Sequence, residues 1–335
     1  MSPNGGSEKR RTVSLNVGII GLGGWGRRLV EAVQGKSDRI RFAAAVTGTP
    51  AKAEAFAAKH GLAVSGDLKA MLADASIDAV VSSGPAGLHA AHSLAAIKAG
   101  KPVLAVKPMA LNRADAEALG KAAREHGVLL ALGYNRCFYP AIAELRRRIA
   151  AGDLGTLLHM EGDFCVDRYF KLKPGADWKT EKSQVLAGAL ADHSLYAMIE
   201  FLGPVAEVVA HGSTRATKLP ITDTTATLLR FANGASGLLT AMGATATYER
   251  MTVFGSKGWA EIRHGEQFTL QPIGGEGTTI DYPDFDPEKD ELEAFAAAVT
   301  GEKPFPVSVD DAVHSVAVLE AIDRAATTGE VVKIG

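Results

Sequence analysis

Residues able to handle a proton gather in two short stretches of this chain. Lys107 closes the apolar run Val103-Leu104-Ala105-Val106, which reads as a buried strand, and Pro108 follows it. Its amine therefore falls at the carboxyl edge of a sheet, where open α/β sheets bind their ligands. A lysine there can hydrogen-bond a substrate oxygen and stabilise a developing alkoxide; read locally, it is equally a surface lysine. The second stretch, AGALADHSLYAMIE, holds Asp192, His193 and Tyr196. Asp192 and Tyr196 are four residues apart and so share one face of a helix. A free phenol titrates near about 10, too high for a base at neutral pH, and an ammonium such as Lys107 beside it favours the phenolate. The expected catalytic set is Lys107, Tyr196 and Asp192, with the carboxylate orienting the pair. The same spacing also suits an amphipathic core tyrosine. Asp192-His193 is a single neighbouring pair with no third ligand, so no metal is expected.

A cofactor site is read from the stretch LNVGIIGLGGWGRRLV, residues 15–30. Val17 to Ile20 is too short for a helix and rich enough in branched residues for a buried strand. Gly21, Gly23 and Gly26 then stand at GxGxxG spacing, with Gly24 and Trp25 between them and a helical continuation from Arg27. Gly21 permits the tight turn, Gly23 lets the backbone approach a pyrophosphate, and Gly26 lets helix and strand pack closely. The helix N-terminus adds unpaired N–H groups and a partial positive charge. A strand before and a helix after is the context a dinucleotide site requires; the alternative is an ordinary strand-to-helix turn. An NAD-preferring site places Asp or Glu about twenty residues further on. Here the second strand ends in Thr47-Gly48-Thr49, with Lys52 beyond, and no carboxylate lies between Asp38 and Glu54. Hydroxyls and a lysine suit a 2′-phosphate. NADP is therefore expected ahead of NAD, unless Thr47 to Pro50 is only a turn and Lys52 a solvated helix residue.

These residues need a scaffold, and the chain in order supplies one. Strands at residues 17–20, 40–46, 77–81, 103–106 and 128–132 alternate with helices that end at Gly61, Gly100 and Gly127. Strict alternation implies a parallel sheet with right-handed crossovers. Past Arg136 the texture changes to a helix over 140–151, a strand over 157–164 and a charged loop over 167–182. A helix over 189–201 then precedes strand segments at 206–211, 224–231, 235–241, 250–255, 259–263 and 267–272. Turn pairs Asn233-Gly234 and Lys257-Gly258 favour antiparallel hairpins, and helices at 288–300 and 309–328 close the chain. The expected fold is α/β: an N-terminal doubly wound Rossmann domain (15–134) and a C-terminal α+β domain with a mostly antiparallel open sheet (135–335). The boundary has no flexible linker, so the two domains are expected to share a cleft.

Composition narrows the classes further. The 335 residues are 47% hydrophobic, with 36 Lys+Arg against 38 Asp+Glu and a net charge of −2, which leaves no electrostatic footprint for nucleic acid. Arg146-Arg147-Arg148 reads as a solvated helix face. Cys137 and Cys165 have no metal or disulfide spacing, which fits a reducing cytoplasm. Met1 to Ser14 is polar and reads as a disordered tail without the apolar core of a signal peptide. No apolar run is long enough to span a bilayer.

Taken together, these stretches resemble the glucose–fructose oxidoreductase / inositol dehydrogenase / rhizopine catabolism (Gfo/Idh/MocA) family. The resemblance runs from Leu15 onward through the glycine turn, Ser83-Gly84-Pro85 with His89, and Leu104 to Ala110 at the family's Glu-Lys-Pro position. It continues through Gly133-Tyr134-Asn135-Arg136, Gly152-Asp153-Leu154-Gly155, Asp192 with the residue four later, Gly255-Ser256-Lys257-Gly258 and the closing LEAFAAAVTGEKPFPVSVDDAV. It implies NAD or NADP at the glycines, with Ser83, Gly84, Pro85 and His89 joining the cofactor site. It also implies oxidation or reduction of a carbinol on a sugar, cyclitol or dihydrodiol-like ring, and a homodimer or homotetramer formed through the open sheet. Lys107 would contact substrate and precede a cis proline, and Asp192 would be the acid of the Asp-x-x-x-His pair. Arg136, Arg168, Trp178 and His193 are the candidates for the rest of the substrate wall. Departures are Val106 for the family glutamate, Tyr196 for the histidine, Ile199 for an acid and Cys137 for an arginine. Two rival classes are an NAD-retaining glycosidase working by transient oxidation and a non-catalytic dinucleotide-binding sensor.

Overall fold

Residues 14–175, 178–181 and 186–335 are described by the computed structural model. The expected tail thus lies outside them apart from Ser14, as does part of the 167–182 loop. The first sheet is built from six parallel strands: β1 (Leu15–Ile20), β2 (Ile40–Val46), β3 (Ala63–Ser65), β4 (Ala79–Ser82), β5 (Val103–Val106) and β6 (Leu130–Gly133). Their order is β3-β2-β1-β4-β5-β6. β1, β4, β5 and β6 are buried along almost their whole length, as expected of strands covered by helices on both faces. The covering helices include α1 (Gly24–Val33), α2 (Glu54–His60), α3 (Leu68–Ala73), α4 (Ala86–Lys98) and α5 (Arg113–His126). α2 and α5 end at Gly61 and Gly127 in the left-handed conformation, the stops their glycines foretold. Strand order reverses between β1 and β4, so a crevice opens at the carboxyl ends of those two strands.

The second sheet has nine strands. β7 (Leu157–Cys165) lies centrally and β8 (Val205–Ser213), β9 (Thr224–Phe231), β10 (Ser236–Met242), β11 (Tyr248–Gly255), β12 (Gly258–Arg263), β13 (Gln267–Pro272), β14 (Thr278–Asp281) and β15 (Val332–Lys333) complete it. The order is β14-β13-β12-β11-β7-β10-β9-β8-β15. Every pairing is antiparallel except β7 with β10. Alternation along β9 buries every second residue, and α6 (Pro140–Ala150), α7 (Asp192–Leu202) and α9 (Val309–Thr328) cover the buried face. Across the opposite face Val209, Leu228 and Leu238 stand in register on three adjacent strands, each more than 40% exposed.

Three strands escaped the sequence reading for one reason. β3, β14 and β15 are two to four residues long and present little apolar surface. They form by pairing with a strand already in place, not by an alternation of their own. The last two helices also return to the first domain, although they follow the sequence boundary at 135. From α8 (Pro287–Val299), Leu292, Phe295 and Ala296 join the core of Ile19 and Phe42. Ala312 and Val316 of α9 pack with Ile97 and Leu119.

That return buries two carboxyl groups. Glu288 forms an ion pair with Arg28 Nη2 at 3.0 Å and accepts a hydrogen bond from Asn135 Nδ2 at 2.9 Å, so it ties α1 to the chain crossing between domains. Glu291, one turn on and 1% exposed, has neither oxygen paired. Burial, and then the Glu288 charge, hold its carboxyl well above the usual range. Its neighbour Cys137, at the position where the resemblance expects arginine, brings no cation. A carboxyl held protonated in the fold but ionised when unfolded lowers stability as pH rises above its unfolded value. Glu291→Gln removes that penalty. It is expected to raise the melting temperature at pH 8, by ~2–4 °C for each kcal/mol recovered, and to leave it unchanged near pH 4. A pH series of melting curves on both proteins measures this.

Candidate active site

The crevice is lined first by the glycine turn. Gly21 has φ +94°, and a Cβ on it would lie 2.6 Å from the Gly84 backbone. A Cβ on Gly26 would collide with the Gly21 carbonyl, whereas Gly23 and Gly24 face open space. The Ser83 hydroxyl donates to Gly21 O at 2.7 Å, pinning the two loops together. α1 begins at Gly24 with no side chain capping it, so its first N–H groups face that space. Bare amides beside an open cradle that two glycines keep clear fit the diphosphate of a dinucleotide. Trp25 is 38% exposed at its rim, with the Arg28 guanidinium 5.5 Å from the ring.

His89 takes a different place from the one the resemblance implied. It is 2% exposed, with Nδ1 2.8 Å from Pro108 O and Nε2 2.8 Å from Gly84 O. Instead of facing the cradle it ties the Ser83–Pro85 loop to the Lys107–Pro108 peptide, which is cis. At the far end of the crevice, Thr47 and Thr49 follow β2 and Lys52 ends the turn Pro50–Lys52. Arg27 joins them: its Nε donates to Leu22 O at 3.2 Å, its Nη2 to Lys52 O at 3.0 Å, and its guanidinium lies 4.9 Å from the Phe56 ring. The sequence reading passed over Arg27, though its place directly after Gly26 was the available signal.

The reactive end lies where β5 meets the second domain. Lys107 Nζ donates to Ala189 O at 3.1 Å. Burial pushes its amine down to about 8; Asp192 opposes that fall, while Arg136, Arg168 and Lys179 add to it. Asp192, 0% exposed at the start of α7, accepts from Tyr134 OH at 3.2 Å and Ser315 Oγ at 3.0 Å through Oδ1. Its Oδ2 is buried without a partner. Burial raises the carboxyl, and the Lys107 charge draws it back. His193 is held neutral, its pKa depressed first by burial and then by Lys107 and Arg136. It lines a cavity with Arg136, Glu249 and Tyr139, and its Nδ1 has no partner. Arg136 Nη1 is 2.6 Å from Glu249 Oε1, and its guanidinium lies 4.3 Å from the centre of the Phe164 ring. Trp178 falls in the turn Trp178–Thr180, but its side chain is outside the described residues.

Tyr196 is not part of this group, a correction to the expected catalytic set. It is 1% exposed, stacks on Tyr134 with ring centres 4.4 Å apart, and accepts the Ser308 N–H at 3.0 Å at the start of α9. Burial pushes its phenol up, with Cys137 next, while the Ser308 N–H draws it back. Tyr196 and Asp192 share a helix face as their spacing required. Tyr134 sits against both of them, bonding Asp192 and stacking on Tyr196.

Residues 15–134 match the oxidoreductase family with an NAD-binding Rossmann fold (GFO_IDH_MocA), and residues 142–261 match the GFO/IDH/MocA C-terminal domain. The chain belongs to the GFO/IDH/MocA oxidoreductase family. The family is one of oxidoreductases with an NAD-binding Rossmann fold, and this chain is an NAD(P)-dependent oxidoreductase. It is 29% identical over 333 residues to D-xylose 1-dehydrogenase (NADP(+)) 2 of Haloferax volcanii, covering 95% of this chain and 99% of that one. It is 27% identical over 323 residues to scyllo-inositol 2-dehydrogenase (NAD(+)) of Bacillus subtilis, covering 88% and 90%. Among solved structures, the aldose-aldose oxidoreductase from Caulobacter crescentus complexed with glycerol superposes with a TM-score of 0.85 at 25% identity, covering 96% and 100%. Among the described residues no helix is long and apolar enough to cross a membrane.

The burial of Tyr196 yields a direct test. Tyr196→Phe leaves the Ser308 N–H without its acceptor and is expected to cost ~1–3 kcal/mol of stability. Turnover is expected to stay within a few-fold of the parent, which denaturation and steady-state rates measured side by side will show. A loss of roughly 10²-fold or more, the acid–base scale, would return the phenol to the chemistry.

Proposed function

We propose that this family member transfers hydride between NADP(H) and a ring carbinol or its ketone on a sugar or cyclitol, with Lys107 as the acid–base group. The observation that carries the reading is an amine brought down to about 8 by burial, at the carboxyl edge of the sheet beside Asp192 and His193. A group titrating near the working pH is the one suited to giving and taking a proton. The dinucleotide, when bound along Gly21 to Gly26, supplies the hydride acceptor or donor. In oxidation the neutral Lys107 amine takes the hydroxyl proton; in reduction its ammonium returns it. Asp192 draws that ammonium toward the substrate oxygen, while Tyr134 and Ser315 fix the carboxylate. Neutral His193 presents Nδ1 to a hydroxyl along the cavity wall. The relatives' substrates, a pentose and an inositol, support a polyol of this size.

NADP is favoured over NAD because the end of β2 offers Thr47, Thr49, Lys52 and the Arg27 guanidinium, with no acid from Thr47 to Ala53. Assembly through the open sheet is supported by the apolar stripe Val209, Leu228 and Leu238. Beside it Arg250 pairs with Glu161 at 2.6 Å and Asp163 at 2.9 Å, covering charge that would oppose a second copy.

The sign of the pH dependence follows from the amine. Below about 8 Lys107 is protonated and cannot accept a proton, so oxidative kcat/KM is expected to climb with pH and level off above that value. The reductive rate is expected to fall over the same range. Lys107→Met is expected to lose roughly 10²–10⁴-fold in both directions, and pH–rate profiles of the two proteins check it. In a fluorescence titration NADPH is expected to bind at least about tenfold tighter than NADH, a gap of ~1.4 kcal/mol. Arg27→Ala is expected to narrow that gap.

A further inference from the structure

His89 faces two carbonyl groups with a ring that, when neutral, can satisfy one. Its Nδ1 lies 2.8 Å from Pro108 O and its Nε2 2.8 Å from Gly84 O. Both are hydrogen-bond distances, and both partners accept only. A neutral imidazole carries one N–H, so in that form the other nitrogen turns its lone pair on a carbonyl oxygen. An imidazolium donates on both sides. The ring is 2% exposed, so bulk water does not supply the missing donor.

Charge decides between the two forms. The groups that face the ring are Lys107 at the end of β5 and His92 one turn along α4, and a charge on either opposes a second proton. The His92 ring lies against the same loop, 3.5 Å from where a Cβ on Gly84 would stand. Burial first, and then Lys107, hold His89 below the ordinary histidine value, although the Pro108 and Gly84 carbonyls both favour the proton. In the free protein one of the two bonds is therefore unmade. What is missing is negative charge, and the glycine turn is where it arrives. The Gly84 backbone lies against Gly21, since a Cβ on Gly21 would fall 2.6 Å from it, and the Ser83 hydroxyl bonds Gly21 O at 2.7 Å. A diphosphate along Gly21 to Gly26 is thus separated from the imidazole by the Ser83–Gly84 backbone, in surroundings where charges act more strongly than in water.

We propose that His89 takes up a proton from solvent when the dinucleotide binds, and that the resulting imidazolium clamps the Ser83–Pro85 loop to the segment carrying Lys107. The proton bonds to the bare ring nitrogen, nothing is oxidised or reduced, and the new N–H donates to the carbonyl already beside it. His89 is a positioning residue: it acts through Gly84 and Pro108 and couples filling of the cradle to placement of the lysine. This coupling presupposes that the dinucleotide lies along the glycine turn, as read above, and is indifferent to the substrate.

Calorimetric titration of NADH into the full-length protein, in buffers of different ionisation enthalpy, counts the protons taken up. NADH is the probe because it lacks the 2′-phosphate, a group that titrates near the same range. Uptake of roughly half a proton or more per NADH is expected at pH 7, with Kd rising about threefold or more per pH unit between 7 and 8. His89→Gln is expected to bring uptake near zero and to flatten the pH dependence of Kd. Nitrogen-15 NMR of the histidine-labelled parent protein reads the ring without needing the variant to fold. The ring beside Gly84 and Pro108 is expected to carry one slowly exchanging N–H in the free protein and two with NADH bound. Binding without proton uptake, uptake that survives His89→Gln, or a single N–H in the bound protein would overturn the proposal. Two N–H groups already present in the free protein would overturn the link to the cofactor. No binding of either NADH or NADPH would refute the dinucleotide site itself, and the clamp with it.

Discussion

Taking the Lys107 ammonium out of water costs several kcal/mol unless opposite charge and hydrogen-bond acceptors meet it. Among the described residues Ala189 O accepts its hydrogen bond and Asp192 supplies opposite charge, and both come from the second domain. The two domains must therefore hold a fixed relation for the amine to have any partner at all. Arg136, Arg168 and Lys179 weaken the remaining preference for the charged form. An amine balanced in this way changes protonation near neutral pH, which an exposed lysine does not.

Much of the remaining architecture can be understood as what keeps that relation fixed. Tyr134, at the crossing between domains, donates to Asp192 and stacks on Tyr196, whose oxygen in turn receives the first turn of α9. Asn135, the next residue, is held by Glu288 on α8, and Glu288 also pairs with Arg28 on α1 behind the glycine turn. Arg136 then lines the cavity beside His193. Three consecutive residues thus link the glycine turn, the Asp192 carboxylate and the cavity wall. Glu291 shows the cost of packing such a junction densely, because a second carboxyl was buried there with nothing to pair it.

Sequence and structure agree best where local rules are strong. The strand–glycine–helix turn, the glycine stops at Gly61 and Gly127, and the long strands and helices of both domains follow from short-range sterics and period, and they stand where expected. The two-layer division into a doubly wound sheet and a mostly antiparallel sheet follows from the order of those elements. Agreement fails where a residue's role depends on what arrives from far along the chain. β3, β14 and β15 exist because a neighbour offers an edge. α8 and α9 return to the first domain because that is where their apolar faces find cover.

The amino-acid order by itself determined the dinucleotide cradle, the position of Lys107 at a sheet edge and the pairing of Asp192 with a residue one helical turn away. Each depends on backbone geometry within a few residues. Only the tertiary structure decided which of three adjacent side chains faces the cleft. Helical spacing puts Asp192 and Tyr196 on one face, but the stack on Tyr134 and the Ser308 N–H draw the phenol into the core, while His193 is left beside Lys107 and Arg136. Protonation likewise belongs to the assembled molecule, because it is set by burial and by charges brought together from residues as far apart as 107 and 192.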